Sequence, residues 1–554
     1  MESLNSKWIA TVAGIWIQCS SGATYTFGIY SPTLKSTQNY DQSTLNTVSV
    51  FKDIGGNAGI LSGLLYSLVT LNHHRHDNDH QRRGLLLSFC GPWVVHLTGA
   101  ILCFVGYFFM WAAVVGLIDR PPVALMCLFM FMAAQAQTFF NTANVVTGVK
   151  NFGDYGGTIV GILKGYLGLS GAVLIQVYDT IFNGNPSTFL LILALLPTFV
   201  SLLLMFLARI YETKSVDDKK QLNAFSAIAL TMAAYLMIII ILENIFTLPS
   251  WARIITFIFL LLLLASPLGI AFKAQMEDTK RLAFSQTLST EQRISLVYNS
   301  EPAQDHHLAY HELPAGDHKE DMKNIHEDQE DMNIQQAMCT ANFWLLFIAM
   351  ISGMGSGLAT INNISQVGES LGYTAIEINS LVSLLSIWNF LGRFGAGYVS
   401  DIFLHKRGWA RPLFIAITQA TLSIGHIIVG SGFPGNLYVG SIVVGICYGS
   451  QWSLMPTITS EIFGVGHMGT IYNTIGIASP VGSYIFSVRI IGYIYDKMAS
   501  GGEDNSCSGT QCFMSAFLIM ACFALVGCVV ALVLYFRTRR FYDQIVLRRL
   551  RHEK

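Results

Sequence analysis

Apolar residues in this chain come in long runs separated by short polar segments. Strings such as LMIIIILENIF and FIFLLLLLASPLG lack the two-residue alternation of a barrel strand, which repeats over segments of about 10 residues. They predict helices. A helix crossing hydrocarbon about 30 Å thick needs about 20 apolar residues. By that measure, spans fall near 8–30, 44–70, 86–117, 122–149, 157–180 and 187–210. Two follow near 222–245 and 251–273. After a polar gap come 341–364, 374–400, 411–431, 435–460, 468–494 and 513–536, fourteen in all.

Composition agrees. The 554 residues are 52% hydrophobic and 12% charged, half the charge of an ordinary soluble protein at about 25%, and mean hydropathy is +0.48. A soluble enzyme, a disordered chain and a nucleic-acid binder are all disfavoured. The net charge of −1 gives no field for a polyanionic partner. The expected surroundings are a lipid bilayer, with no nucleic acid and no cofactor.

Orientation follows from the cations. With the N-terminus in the cytosol, 25 Lys and Arg fall in cytoplasmic segments, three outside, and five within or at the ends of spans. Cytoplasmic loops are enriched in these residues, so both termini are predicted to be cytoplasmic. A single miscounted span would move every later loop to the wrong side. The first apolar run, from Trp8, has almost no basic residues before it and is expected to remain as a helix. No retention or lipidation signal is expected at the C-terminus. The plasma membrane is favoured, with an endomembrane or organelle as alternatives.

The segment 274–340 holds 13 acidic and five basic residues, among them several His, and reads as a flexible cytoplasmic linker. It divides the chain into a six-helix half at 1–211, two additional helices at 212–273, a second six-helix half at 341–537, and a basic tail at 538–554. A faint echo between the halves supports duplication: GATYTFGIYS from Gly22 and GLATINNIS from Gly357, then GLLYS from Gly63 and GYVSD from Gly397. Two halves in the same orientation predict a parallel-repeat transporter with its site near the midplane. The fold class is thus an all-α polytopic membrane protein.

The sharpest local motif is GRFGAGYVSDIFLHKRG, 392–408. Gly397 and its neighbouring glycines permit close helix approach. Asp401 at the membrane edge, with Lys406 and Arg407 after it, can hold a helix N-terminus or a basic side chain and release it when the halves rock. In the first half the corresponding LLYS lacks the acid. Charges inside the spans are costly and usually face a cavity. Lys164 sits in GILKGYLGLSGA, Arg393 two turns inside Asp401, Lys52 beside Asp53 in the second span, and Arg489 in the thirteenth. Four cations against one clear intramembrane acid predict a cavity suited to an organic anion, gripped by Arg393 and Lys164. Tyr25, Asn363 and Trp388 are further candidates for contact with the solute, and His96 and His426 for a proton relay.

The loop NHHRHDNDHQRR, 72–83, carries metal-type ligands at irregular spacing and reads first as a solvated loop, so no metal site is assigned. Cys507 and Cys512 lie in an outer loop and could close a disulfide. Neither ATP-binding nor standard hydrolase motifs occur, so an enzyme is not expected.

Several strings together resemble one family. They are WIQCSSGATYTFGIYSPTLK, GILKGYLGLSGA, TINNISQVGESLGY, SLLSIWNFLGRFGAGYVSD, and ICYGSQWSLMPTITSEIFG with YNTIGIASPVGSYIFS. The chain is similar over nearly its whole length to plant nodulin-like proteins of the major facilitator superfamily, the nuclear-fusion-defective-like group. Residues 392–408 look like that superfamily's G-x-x-x-D and basic-cluster signature, though Tyr155 stands where a basic residue is expected. A more distant similarity, to monocarboxylate and oxalate transporters, implies a cation on the helix of Arg393 and another on that of Arg489.

The resulting expectation is a secondary transporter working by alternating access. It would act as a monomer on a small-molecule solute, an organic anion, with or without protons. A non-transporting sensor or scaffold on the same fold and a divalent metal transporter are the alternatives. The charge bias makes one direct prediction. Epitope tags at both termini should be detected only after the cytosolic face of the membrane is made accessible, and detection from the outside would reverse the orientation.

Overall fold

The computed structural model describes residues 6–76, 91–182, 186–211, 218–246, 249–298, 331–499 and 507–552. Among them every regular element is helical. The first predicted span is broken: α1 (Lys7–Ser20) and α2 (Phe27–Gln38) are joined through a 3-10 turn at Ala23–Thr26. Small and hydroxyl residues in SSGATYT replace a continuous apolar run there. α3 (Gln42–Asn57) and α4 (Ile60–His76) form the second path, interrupted between Asn57 and Ile60. Next come α5 (Trp93–Val114), α6 (Val123–Asn151), α7 (Gly156–Ile181) and α8 (Pro186–Leu204).

The additional pair is α9 (Asp218–Ile245) and α10 (Ser250–Tyr298). α10 continues well past the end of its apolar run near 273, because KAQMEDTKRLAFSQTLSTEQ contains good helix formers and no Pro or Gly. The first part of the expected flexible linker is therefore helical, and 299–330 lies outside the described residues. A short α11 (Ile334–Met338), closed by a capping box between Asn333 and Gln336, precedes the second block.

There, α12 (Ala341–Met350) and α13 (Ser356–Ser370) are linked by a π-helical turn at Ile351–Gly355. α14 (Ala375–Arg407), α15 (Pro412–Ser431) and α16 (Asn436–Phe463) follow. α17 (Met468–Gly476), α18 (Ala478–Ser483), a π stretch at Tyr484–Gly492 and α19 (Tyr493–Ala499) share one path. α20 (Met514–His552) ends the block.

Where they are described, all fourteen predicted spans fall on helical paths, and among the described residues ten helices are long and apolar enough to cross a membrane by length and composition. The four others are the two broken paths, α14 and α16. α14 carries Arg393, Asp401 and a basic last turn, while α16 is diluted by Gly, Ser and Thr. On the outside, residues such as Phe199 (65% exposed) and Phe536 (67%) form apolar surface of the kind lipid covers.

The blocks meet where side chains vanish. A Cβ on Gly157 of α7 would stand 2.6 Å from the carbonyl oxygen of Gly397 on α14, and one on Gly63 of α4 would stand 2.5 Å from the backbone of Gly469 on α17. Only glycine allows backbones so close. The additional pair is tied to the first block by Lys7, whose Nζ lies 2.6 Å from Asp218 Oδ1. Trp8 Nε1 donates to Asp278 Oδ2 at 2.8 Å, and Trp16 Nε1 to Leu264 O at 2.7 Å. It also touches the second block, where Tyr398 Oη donates to Asn223 Oδ1 at 3.1 Å.

Lys7 is 3% exposed, and breaking a buried ion pair costs roughly 3 kcal/mol or more. Lys7→Ala should lower the apparent unfolding temperature of the detergent-purified protein, and Lys7→Arg should largely restore it. Equal melting of all three would refute the tie.

Candidate functional site

A cavity of about 530 Å³ lies between the blocks. α7 and α14 form much of its wall, with contributions from α3, α6, α9, α13 and α16 and from the turn around Tyr25. Of the residues expected at a solute site, Lys164, Arg393, Lys52 and Tyr25 line it. Three do not. Asn363 donates instead to Ala359 O at 2.7 Å and Ser487 Oγ at 3.0 Å. Trp388 packs against Gly445 of α16. Arg489 is exposed on the π stretch, away from the cavity.

Lys164 and Arg393 are brought together by helix packing. Arg393 Nη1 donates to the carbonyl oxygen of Lys164 at 3.1 Å, Nε to Asn389 Oδ1 at 2.7 Å, and Nη2 to Tyr25 Oη at 3.2 Å. A guanidinium has five N–H donors, so one on each Nη remains. Lys164 Nζ sits 4.9 Å above the Trp452 ring and 5.3 Å above Tyr472, and the Arg393 guanidinium is 6.0 Å from the same Trp452. The two residues are 1% and 3% exposed, and among the described residues neither has a carboxylate within ion-pair distance. Ring faces offset only part of the cost of burying such charges. Lys52 differs, since its Nζ lies 3.1 Å from Asp53 Oδ1 and 5.1 Å from the Phe27 ring.

The wall also corrects the sequence reading of one intramembrane acid. Asp53 is joined by Asp179 and Glu243. Glu243 was legible as the single charge in LMIIIILENIF, but nothing in the string says that α9 faces the cavity. Thr24, Gln137 and Gln176 are further lining residues that sequence reasoning missed. The relay candidates stand elsewhere: His96 packs on Phe140, and His426 bonds Ser356 and Thr360; neither lines the cavity. The metal-ligand residues of the 72–83 loop lie outside what can be described of the side chains. Cys507 and Cys512 are joined by a disulfide, with Cα atoms 5.9 Å apart.

Two turns along α14 from Arg393, Asp401 joins the two blocks. Its Oδ1 accepts from the backbone N–H of Gly157 at 3.2 Å, and its Oδ2 accepts from the N–H and Oγ1 of Thr158, both at 2.6 Å. The carboxylate thus caps the N-terminus of α7, where free amides and the helix dipole favour an anion. Arg411 Nη2 lies 2.6 Å from Asp401 Oδ1, and its Nε donates to Glu461 Oε1 at 2.7 Å. Tyr542 Oη donates to Glu461 Oε2 at 2.7 Å, connecting α20. Sequence reasoning expected either amides or a basic partner; Asp401 has both. The base is Arg411, whereas Lys406 and Arg407 are exposed and Arg407 lies over Phe403 and Trp409. Tyr155 stacks on His405, ring centroids 5.1 Å apart.

Comparison with known proteins adds the following. Residues 7–73 and 81–272 match the family model described as Nodulin-like, and 327–544 match the NFD4 C-terminal domain. Protein NUCLEAR FUSION DEFECTIVE 4 of Arabidopsis thaliana is 25% identical over 97% of this chain and 90% of its own length. Probable transporter MCH1 of Yarrowia lipolytica is 24% identical over 34% of this chain and 41% of its own. Among solved structures, the proton:xylose symporter XylE superposes with a TM-score of 0.52 at 11% identity, covering 94% of each chain.

Hydrogen bonds to charged groups contribute about 1.5–3 kcal/mol, or roughly a ten- to hundredfold change in local opening. Asp401→Ala should therefore raise amide hydrogen exchange at Gly157 and Thr158 by that factor. Unchanged exchange there would show that the cap is not holding the helix.

Proposed function

Because this chain belongs to the nodulin-like family and has the major facilitator fold, we propose that it is a secondary transporter of small organic anions working by alternating access. The observation that carries the reading is the pair Lys164 and Arg393, both buried and without a carboxylate partner among the described residues, on the wall of one cavity. An unpaired buried cation is expensive. A carboxylate solute supplies the missing countercharge, and the two free Arg393 donors match its two oxygens. Lys164 adds a point charge and Trp452 a flat apolar face. The cavity volume suits a small molecule, for which sites of roughly 300–1,000 Å³ are usual.

The Asp401 cluster supports the other half of the reading. It joins α7 of the first block to α14, α15 and α16 of the second. Opening that end requires Asp401 to leave the α7 amides while retaining Arg411, so the carboxylate never loses all its partners. Glycine at positions 157 and 397 lets the two backbones slide without side-chain collision. We read the closed end as cytosolic, in line with the Lys and Arg bias. The units that move are the halves 1–211 and 341–537, working as a monomer in the bilayer, with the plasma membrane the favoured location.

The test is uptake of radiolabelled short carboxylates into proteoliposomes containing the full chain. Arg393→Ala and Lys164→Ala should each reduce initial uptake at least tenfold, the loss expected for one charged hydrogen-bonding partner. Arg393→Lys should recover only part of it. Undiminished uptake by both alanine variants would sink the anion site.

A further inference from the structure

At the end of the cavity remote from Asp401, α7, α9 and α10 converge. Gln176 Nε2 donates to Glu243 Oε2 at 2.8 Å, while Glu243 Oε1 is buried with no hydrogen-bond partner among the described residues. Asp179, one turn beyond Gln176 on α7, lines the same cavity. Arg253 of α10 donates from Nη1 to the Asp179 carbonyl oxygen at 3.3 Å, which brings a guanidinium to the same end of the cavity. On α9 itself, the nearby Tyr235 has its hydroxyl committed to Thr256 O at 2.6 Å. Gln176, Asp179 and Glu243 all line the cavity, as do Lys52 and Asp53 of α3, which pair with each other.

Two carboxylates and one guanidinium leave one uncompensated negative charge at this mouth. Its position matters because Lys164 lies on the same helix fifteen residues before Asp179, about 22 Å deeper at roughly 1.5 Å per residue. A carboxylate entering from this end passes the acids on its way to Lys164 and Arg393. Like charges in surroundings of low dielectric repel strongly, so the ionised mouth opposes the solute that the floor attracts. A single proton from the medium, forming an O–H bond at Glu243, removes the excess charge.

We infer that Glu243 and Asp179 share one exchangeable proton, and that this proton admits the anion to the cavity. The proton comes from and returns to the water at the same mouth, so no further reactant is required. The additional helix pair then has a defined task. α9 supplies the acid and α10 the arginine that sets how readily a proton binds. For its cargo this inference rests on the anion reading given above; the proton site itself does not.

The experiment therefore has two arms on the purified full chain. In pH-difference infrared spectra, acidification should produce a carboxylic-acid carbonyl band that disappears in Glu243→Gln. In proteoliposomes, initial uptake of lactate and oxalate should rise about tenfold per unit fall in pH until the site is full, and Glu243→Gln should be fast and independent of pH. Arg253→Gln removes the compensating cation, so both the band and the uptake profile should move to higher pH. That variant keeps the idea testable if Glu243→Gln folds poorly. A band unchanged in Glu243→Gln, or a wild-type pH profile in that variant, overturns the inference. A band that behaves as expected while neither anion enters at any pH supports the proton site and refutes the transport of short carboxylates.

Discussion

The crossing of α7 against α14 is the constraint on which the remaining geometry depends. At one end Gly157 and Gly397 bring the backbones together, and Asp401 of α14 caps the amides of α7. Two turns further in, Arg393 of α14 reaches the carbonyl oxygen of Lys164 on α7. Beyond that the cavity opens, and α7 ends beside Glu243 of α9. The Asp401 contact, the two buried cations and the contact with Glu243 are thus strung along one helix. A shear at the glycine crossing must alter all three, because side chains packed at interior density shift between discrete arrangements instead of stretching.

Hydrocarbon explains why a few polar side chains decide so much of the packing. Lipid provides no hydrogen bonds, so a buried charge keeps its place only with partners or with a ligand. The structure sorts its buried charges on that basis. Lys7 has Asp218, the half-buried Lys52 has Asp53, and Arg411 has Asp401 and Glu461. Lys164 and Arg393 have ring faces, a carbonyl, an amide and a phenol. Having neutral partners, they are set apart from the structural ion pairs.

Much of this was legible in the chain. Apolar runs located the membrane helices, since length and hydropathy act locally, but not the polar continuation of α10 past 273 or the short α11. Lys164 and Arg393 were found because a charge within an apolar run is conspicuous, and Asp401 because it follows a glycine series at a span end. Arg411, one of the 25 cations assigned to the cytoplasmic side, carries no local sign of its partners, because its role depends on α15 returning beside α14. Glu243 was visible as a charge but carried no sign of which neighbour it would meet. Arg489, equally conspicuous, points away from the cavity. A linear charge count cannot tell a cavity face from an outer face when the helix is apolar on both.

What the sequence alone determined is the helical class, the order of the spans and the short set of polar residues that break their pattern. These depend on interactions between near neighbours and on the cost of exposing backbone to lipid. The tertiary structure alone decided which of those residues meet: Asp401 with the α7 amides, Arg393 with Lys164, Glu243 with Gln176. The reason is that helices with apolar surfaces all round can pack in many rotations. The choice among them is made by small residues permitting approach and by distant polar groups that must satisfy one another.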